Sequence, residues 1–210
     1  NLIRHVYYQK IVSQIVVQPK QNIFVLPNFL SPALFSQIHQ SVATPQSVSL
    51  HRSKNLIRNG SSISHHKMRG TPFEQVLHLF RGHNVLDKIY KETHLDLQFA
   101  PVTDPNRISL LFYEKPKDGI GWHYDGNNYY GNRWAGIYTI INQGNTPGTP
   151  SSAKFNYELN GKVYAIDTQP NSLLIFRGDQ VKHKVDPIQA GERRVVLSAV
   201  FCDVGERTLN

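Results

Sequence analysis

Eight short runs of β-branched and aromatic residues fill the second half of the chain, with no helical stretch between them, and they limit the fold more than any other feature. They cover residues 108–114, 121–125, 134–142, 154–158, 162–166, 172–176, 181–185 and 193–202. Turn residues punctuate them: Lys117-Asp118-Gly119, Asn160-Gly161, Pro170-Asn171 and Gly178-Asp179. Asn-Gly favours a two-residue hairpin because both positions tolerate φ > 0. Strands at this spacing imply a β-sandwich or a jelly-roll barrel over about 106–203.

The first hundred residues read differently. Residues 22–29 suggest a short strand that Pro27 ends or confines to an edge. Ser31-Pro32 opens a helix, with Ser31 as N-cap and Pro32 in its first turn. Thr71-Pro72-Phe73-Glu74 is a capping box for a second helix, and a further helix is expected over 84–93. Residues 44–70, rich in Ser, Asn and basic side chains, suggest a long loop or a loosely formed hairpin. The chain is expected to be one domain over 1–210, with 1–105 supplying strands and buttressing helices. No run of about 18 apolar residues occurs, and residues 1–20 lack the apolar block of a signal peptide, so no membrane association is expected. With Cys202 as the sole cysteine, no internal disulfide forms, and a cytoplasmic location is expected.

Charge is unevenly placed. The net charge is +8, and eight Lys and Arg residues precede Glu74, the first acidic residue. A basic N-terminal third can attract an anionic partner, nucleic acid included.

The second half holds only two of the ten histidines, His123 and His183, both on expected strands. His123 and Asp125 lie two apart, so on a strand they share a face. Two imidazoles and one carboxylate make the facial triad of non-haem iron(II), with positions left open for substrate and oxygen. His-x-Asp or His-x-Glu alone is weak evidence: roughly 0.7 copies are expected by chance in this composition. A second copy, His94-Leu95-Asp96, exists, but the apolar alternation of Leu95, Leu97 and Phe99 turns His94 and Asp96 toward solvent.

After His183 comes Lys-Val-Asp-Pro-Ile-Gln-Ala-Gly-Glu-Arg-Arg-Val, and before it Leu-Leu-Ile-Phe-Arg-Gly at 173–178. With His-x-Asp upstream, residues 106–203 resemble the 2-oxoglutarate/iron(II) dioxygenases, in particular the prolyl 4-hydroxylase-like branch. The resemblance implies a double-stranded β-helix (jelly-roll, cupin-like) barrel buttressed by N-terminal helices. It implies His123, Asp125 and His183 as iron ligands, 2-oxoglutarate and O2 as cosubstrates, and ascorbate as an accessory reductant. It also implies an arginine that grips the far carboxylate of 2-oxoglutarate. Adjacent arginines on a strand face opposite ways, so only one of Arg193 and Arg194 can serve. The Gly-Glu-Arg spacing favours Arg193, whereas a one-residue shift favours Arg194 and places Ser198 beside it. Tyr113, ten residues before His123, and Tyr138, on the strand after the first ligands, are further cosubstrate candidates.

A carboxylate at 125 points to hydroxylation over halogenation, which in related enzymes needs a small residue there. The expected substrate is a peptidyl residue such as proline, a free amino acid or another small molecule. Residues 126–134 are expected at the barrel mouth, with the basic stretch from Arg52 to Arg69 as a lid. Rival readings are an oxidative nucleic-acid demethylase of the alkylation-repair kind and a non-catalytic cupin-like metal-binding module.

Overall fold

The computed structural model describes residues 22–43, 48–82 and 84–205. Twelve strands and four helices follow one another in the order β1 (Ile23–Leu26), α1 (Pro32–Ala43), β2 (His51–Lys54), β3 (Arg58–Ser64), α2 (His65–Met68), α3 (Glu74–Gly82) and α4 (Val85–Thr93), then β4 (Leu97–Phe99), β5 (Ile108–Tyr113), β6 (Gly119–His123), β7 (Arg133–Gln143), β8 (Phe155–Leu159), β9 (Lys162–Ile166), β10 (Ser172–Phe176), β11 (His183–Val185) and β12 (Arg193–Asp203). All ladders are antiparallel, in the path β1-β10-β7-β12-β5-β3-β6-β11-β8-β9. This path curls into the jelly-roll barrel expected from the strand spacing. Its larger half is β10-β7-β12-β5 and its smaller half β6-β11-β8-β9, with β3 joining them.

Strand alternation sorts the side chains into two cores. Val195, Leu197, Ala199 and Phe201 of β12 and Leu173 and Ile175 of β10 point out of the barrel, onto Ile38 of α1, Val76 and Phe80 of α3 and Ile89 of α4. The intervening Val196, Leu174 and Phe176 point inward, where they meet Leu111, Tyr113 and Phe155. Two irregularities reset this alternation. Opposite Val195 and Val196, β7 carries the extra residue Ile140. In β6, His183 pairs with His123 while Val185 pairs with Ile120, so Ile120 and His123 both face inward although three residues apart. Bulges re-aim side chains in this way, and they gather beside functional sites.

The helix starts follow the residues that predicted them. Ser31 Oγ accepts from Leu34 N at 3.4 Å, and Glu74 reaches back to Gly70 N at 2.9 Å while Thr71 Oγ1 accepts from Phe73 N. Residues 48–70 depart from expectation. They are not a loose hairpin, because β3 pairs with both β5 and β6 and so belongs to the barrel wall. His65 and His66 lie in the short α2, with ring centroids 3.9 Å apart. Among the described residues no helix is long and apolar enough to cross a membrane.

One ion pair, with its carboxylate buried and its guanidinium partly exposed, fastens the β2–β3 hairpin to the barrel. Asp118, in the β5–β6 turn and 0% exposed, accepts from both terminal nitrogens of Arg52 and from the amides of Glu114 and Lys115. Burial pushes its carboxyl up, but Arg52 and the two amides outweigh that and hold it below its ordinary value. Its contribution to stability is therefore complete above the unfolded-state value near 3.9 and is lost as pH falls through the lower folded-state value. Asp118→Ala leaves the amides of Glu114 and Lys115 and the Arg52 guanidinium without their acceptor, and is expected to cost about 2–3 kcal/mol. Urea midpoints measured between pH 7 and pH 2 should show the gap between wild type and variant closing below about pH 4.

Candidate active site

His123 ends β6 and His183 opens β11, and the two are direct partners across the ladder. Opposed residues share a face, so both imidazoles enter the barrel together, with ring centroids 4.2 Å apart. Asp125 lies just past the end of β6 rather than on it, and its amide donates to Gly178 O at 2.8 Å. Asp125 Oδ1 stands 3.5 Å from His123 Nε2 and 3.9 Å from His183 Nε2. One ligand atom from each of the three lies within 4.8 Å of the others.

The second nitrogen of each ring is already engaged. His123 Nδ1 meets Gly121 O and His183 Nδ1 meets Val181 O, both at 2.8 Å. A carbonyl only accepts, so Nδ1 carries the proton and Nε2 is left with its lone pair toward Asp125. Backbone bracing of this kind fixes the tautomer and ring orientation of metal-binding histidines. Phe155 stacks on His183 at 5.5 Å and Phe176 packs edge-on at 4.6 Å. Burial there lowers His183, which keeps its ring neutral, whereas at His123 burial is outweighed by the nearby Asp125 charge and the Gly121 carbonyl together, which raise it. Burial also pushes Asp125 up, but His123 and the Arg133 guanidinium hold its carboxyl far below the usual carboxylate range. Arg133 Nη1 donates to Asp125 Oδ2 at 2.8 Å, which leaves Oδ1 toward the imidazoles. Two imidazole nitrogens and one carboxylate oxygen converging at one point suit iron(II) or a similar divalent ion.

The arginine favoured by spacing faces the wrong way. Arg193 lies outside the barrel, where it donates to Glu114 Oε1, Ala43 O and Val42 O and so caps the end of α1. Arg194 is the inward residue and is 0% exposed. Its guanidinium lies over the Tyr113 ring at 5.5 Å, Nη2 reaches Thr168 Oγ1 at 3.3 Å, and Nε has no partner. No carboxylate among the described residues pairs with it, and burial lowers it from its ordinary value. A buried guanidinium without a counter-charge is costly, and an oxyanion relieves that cost. Ser198, four residues on, lines the cavity with the histidines.

Tyr113 is inward and 1% exposed, as a cosubstrate contact requires. Tyr138 is not: it belongs to the helix-side core and donates to Asn171 Oδ1 at 2.8 Å. Its neighbour Thr139 takes the inward place, buried, with Oγ1 unpartnered and opposite Val196. Orphaned polar atoms on Arg194 and Thr139, with Tyr113 beside them, fit a carboxylate-bearing cosubstrate. Strand alternation through Ala135 and Ile137 could have found Thr139, but it was passed over.

A cavity of ≈ 380 Å³ opens over the three ligands. Its wall includes Ile57 and Arg58 at the start of β3, Leu111 and Ile137 of the barrel interior, and Asp104. From the expected mouth segment, Gly126, Asn128 and Arg133 contribute, while Tyr130 is exposed and Trp134 is buried against Phe24. Of the expected lid, Ile57 and Arg58 reach the cavity, whereas Arg52 is spent on Asp118. His94 and Asp96 are exposed, as their alternation predicted.

Gly178 is a contributor that the sequence did not reveal. A Cβ there would sit 2.0 Å from Asp125 Oδ2 and 2.7 Å from its Cγ. Gly178→Ala should therefore displace the carboxylate and weaken divalent-ion binding about 10–100-fold, the range for lost support of a metal ligand. Titration with Co(II), followed by its visible absorption, checks this, and an unchanged far-UV circular dichroism spectrum shows the fold is kept.

No protein-family description matches this sequence, and no curated protein matches it. Solved structures do. A Pseudomonas putida prolyl-4-hydroxylase superposes with a TM-score of 0.61 at 17% identity, over 88% of this chain and 94% of that one. A prolyl hydroxylase from Trichoplax adhaerens, solved with a hypoxia inducible factor oxygen degradation domain peptide fragment, gives 0.62 at 16% identity, over 96% and 93%. The non-heme alpha ketoglutarate dependent epimerase SnoN from nogalamycin biosynthesis gives 0.68 at 9% identity, over 91% and 82%. The chain thus has the double-stranded β-helix fold on which the 2-oxoglutarate/iron(II) oxygenases, prolyl hydroxylases among them, are built.

Proposed function

We propose that this protein is a 2-oxoglutarate- and iron(II)-dependent dioxygenase that hydroxylates a C–H bond of a peptidyl residue, a free amino acid or a comparable small molecule. The observation that carries this reading is one barrel interior holding both a His-Asp-His set and a buried arginine without a counter-charge. His123, Asp125 and His183 would hold iron(II), which would supply the chemistry by which 2-oxoglutarate and O2 give succinate and CO2 while a substrate C–H becomes C–OH. The remaining work belongs to the protein. Arg194 grips the far carboxylate of the cosubstrate, with Thr139 Oγ1 and the Tyr113 hydroxyl as further hydrogen-bond partners. Arg133 keeps the Asp125 carboxylate turned so that a single oxygen faces the ion. Leu111, Ile137 and Phe176 line the cavity with apolar surface and keep water from the reacting groups.

Purified protein given iron(II), 2-oxoglutarate and ascorbate in air should form succinate, and Asp125→Ala should form none. The two arginines separate clasp from scaffold. Arg194→Met, which replaces a buried charge by an apolar chain of similar length, should raise the KM for 2-oxoglutarate at least about 30-fold, since a charge-assisted hydrogen bond in a dry site is lost. Arg193→Ala should leave that KM within about twofold and lower the thermal midpoint instead, by roughly 2–4 °C, because it uncaps α1. Equal effects of the two substitutions on KM would remove the assignment of Arg194.

A further inference from the structure

Arg58 differs from most arginines near the barrel; Arg107 also has a buried Nε without a partner, but it does not line the cavity. Arg52, Arg133, Arg177 and Arg193 each pair with a carboxylate. Arg194 has the role proposed above. Arg58 lines the same cavity as the three metal-ligand candidates, and its Nε and Nη2 are both buried without a hydrogen-bond partner. Its direction is fixed by the sheet. Arg58 is the direct partner of inward-facing Ile120 on β6, so the two side chains share the inner face. Its backbone is held by the preceding turn, where Asn55 Oδ1 accepts from Arg58 N at 2.7 Å and Asn55 N donates to Arg58 O at 3.0 Å.

Nothing in the cavity wall answers this charge. Asp125 is taken by Arg133 and the imidazoles. Asp104 accepts from Tyr129 Oη at 2.5 Å and from Asn106 N at 2.7 Å. Two residues along β3, Gly60 lies against the Tyr113 ring, so β3 and Arg194 approach that ring from different strands. Among the described residues the barrel thus holds two inward guanidiniums without acids, Arg194 buried on β12 and Arg58 on the cavity wall at the start of β3. One cosubstrate carboxylate occupies the first.

We propose that Arg58 docks an oxyanion, a carboxylate or a phosphate, on the primary substrate, so that the hydroxylated compound is a small acid or an acidic side chain. This rests on the dioxygenase reading above. Arg58 is a specificity-determining residue in it: a planar fork of donors that fixes one end of the substrate while the C–H bond to be oxidised reaches the ligands. A cavity of ≈ 380 Å³ admits one such end, not a folded partner.

Protein loaded with Mn(II) and 2-oxoglutarate under argon binds ligands without turnover. It is titrated with free L-amino acids, with their carboxamides and with inorganic phosphate, followed by saturation-transfer NMR. At least one free acid, or phosphate, should bind wild type about tenfold or more tightly than the matched amide or a neutral control. Arg58→Met should bring that ratio to within about twofold, Arg58→Lys should retain part of it, and 2-oxoglutarate should bind both variants as it binds wild type. An acid-selective result assigns a carboxylate substrate, and a phosphate-selective one assigns a phosphorylated substrate. Acids and amides binding alike to wild type, or a preference that survives Arg58→Met, overturns the proposal. So does loss of 2-oxoglutarate binding in Arg58→Met, which would make Arg58 part of the cosubstrate clasp. Failure of wild type to take up Mn(II) or 2-oxoglutarate at all sinks the dioxygenase reading itself, which the same samples report separately.

Discussion

The larger half of the barrel is covered on both faces, by helices outside and by the barrel interior within, and this constraint governs everything else. Most residues on β7, β10 and β12 are committed to one of two buried environments, and a shift of one position exchanges them. Apolar side chains tolerate either side. Polar ones do not, so inward polar residues of these strands such as Thr139, Arg194 and Ser198 stand out as groups that the fold alone does not require.

This alternation also explains what the sequence revealed and what it withheld. The jelly-roll core was legible because its strands are short, β-rich and separated by turn residues, and His123, Asp125 and His183 were legible because histidine is so scarce in that half. Both misplaced candidates, Arg193 and Tyr138, are off by a single residue, and the inward neighbours Arg194 and Thr139 take their places. Alternation through Ala135 and Ile137 marks Thr139 as inward, and only beyond it does the bulge at Ile140 upset the count. The role of β3 was hidden for another reason. Its run Arg-Asn-Gly-Ser-Ser-Ile-Ser has one large apolar residue, and it joins the wall through backbone pairing with β5 and β6. Gly178 carries meaning only through the carboxylate that crosses its missing side chain.

Charge in the interior is arranged by depth. Next to the metal-ligand candidates, Arg133 and Asp125 offset one another, so the carboxylate stays ionised without leaving a net charge to repel a cation. Farther in, Arg194 has an aromatic ring and a hydroxyl for company but no acid. A positive charge of this kind favours an anion beside it, because a low-dielectric surrounding screens its field poorly.

Each candidate ligand histidine is braced by a carbonyl two residues before it in its own chain, and the pair is locked by a single rung of the β6–β11 ladder. The spacing of the two imidazoles is therefore inherited from main-chain register, whereas Asp125, past the end of β6, is held from outside the ladder by Gly178 and Arg133. The turn before Arg58 can be exchanged, lengthened or recharged without moving either imidazole. Where the rings stand and what the rim offers to a visiting compound are thus set by different parts of the chain.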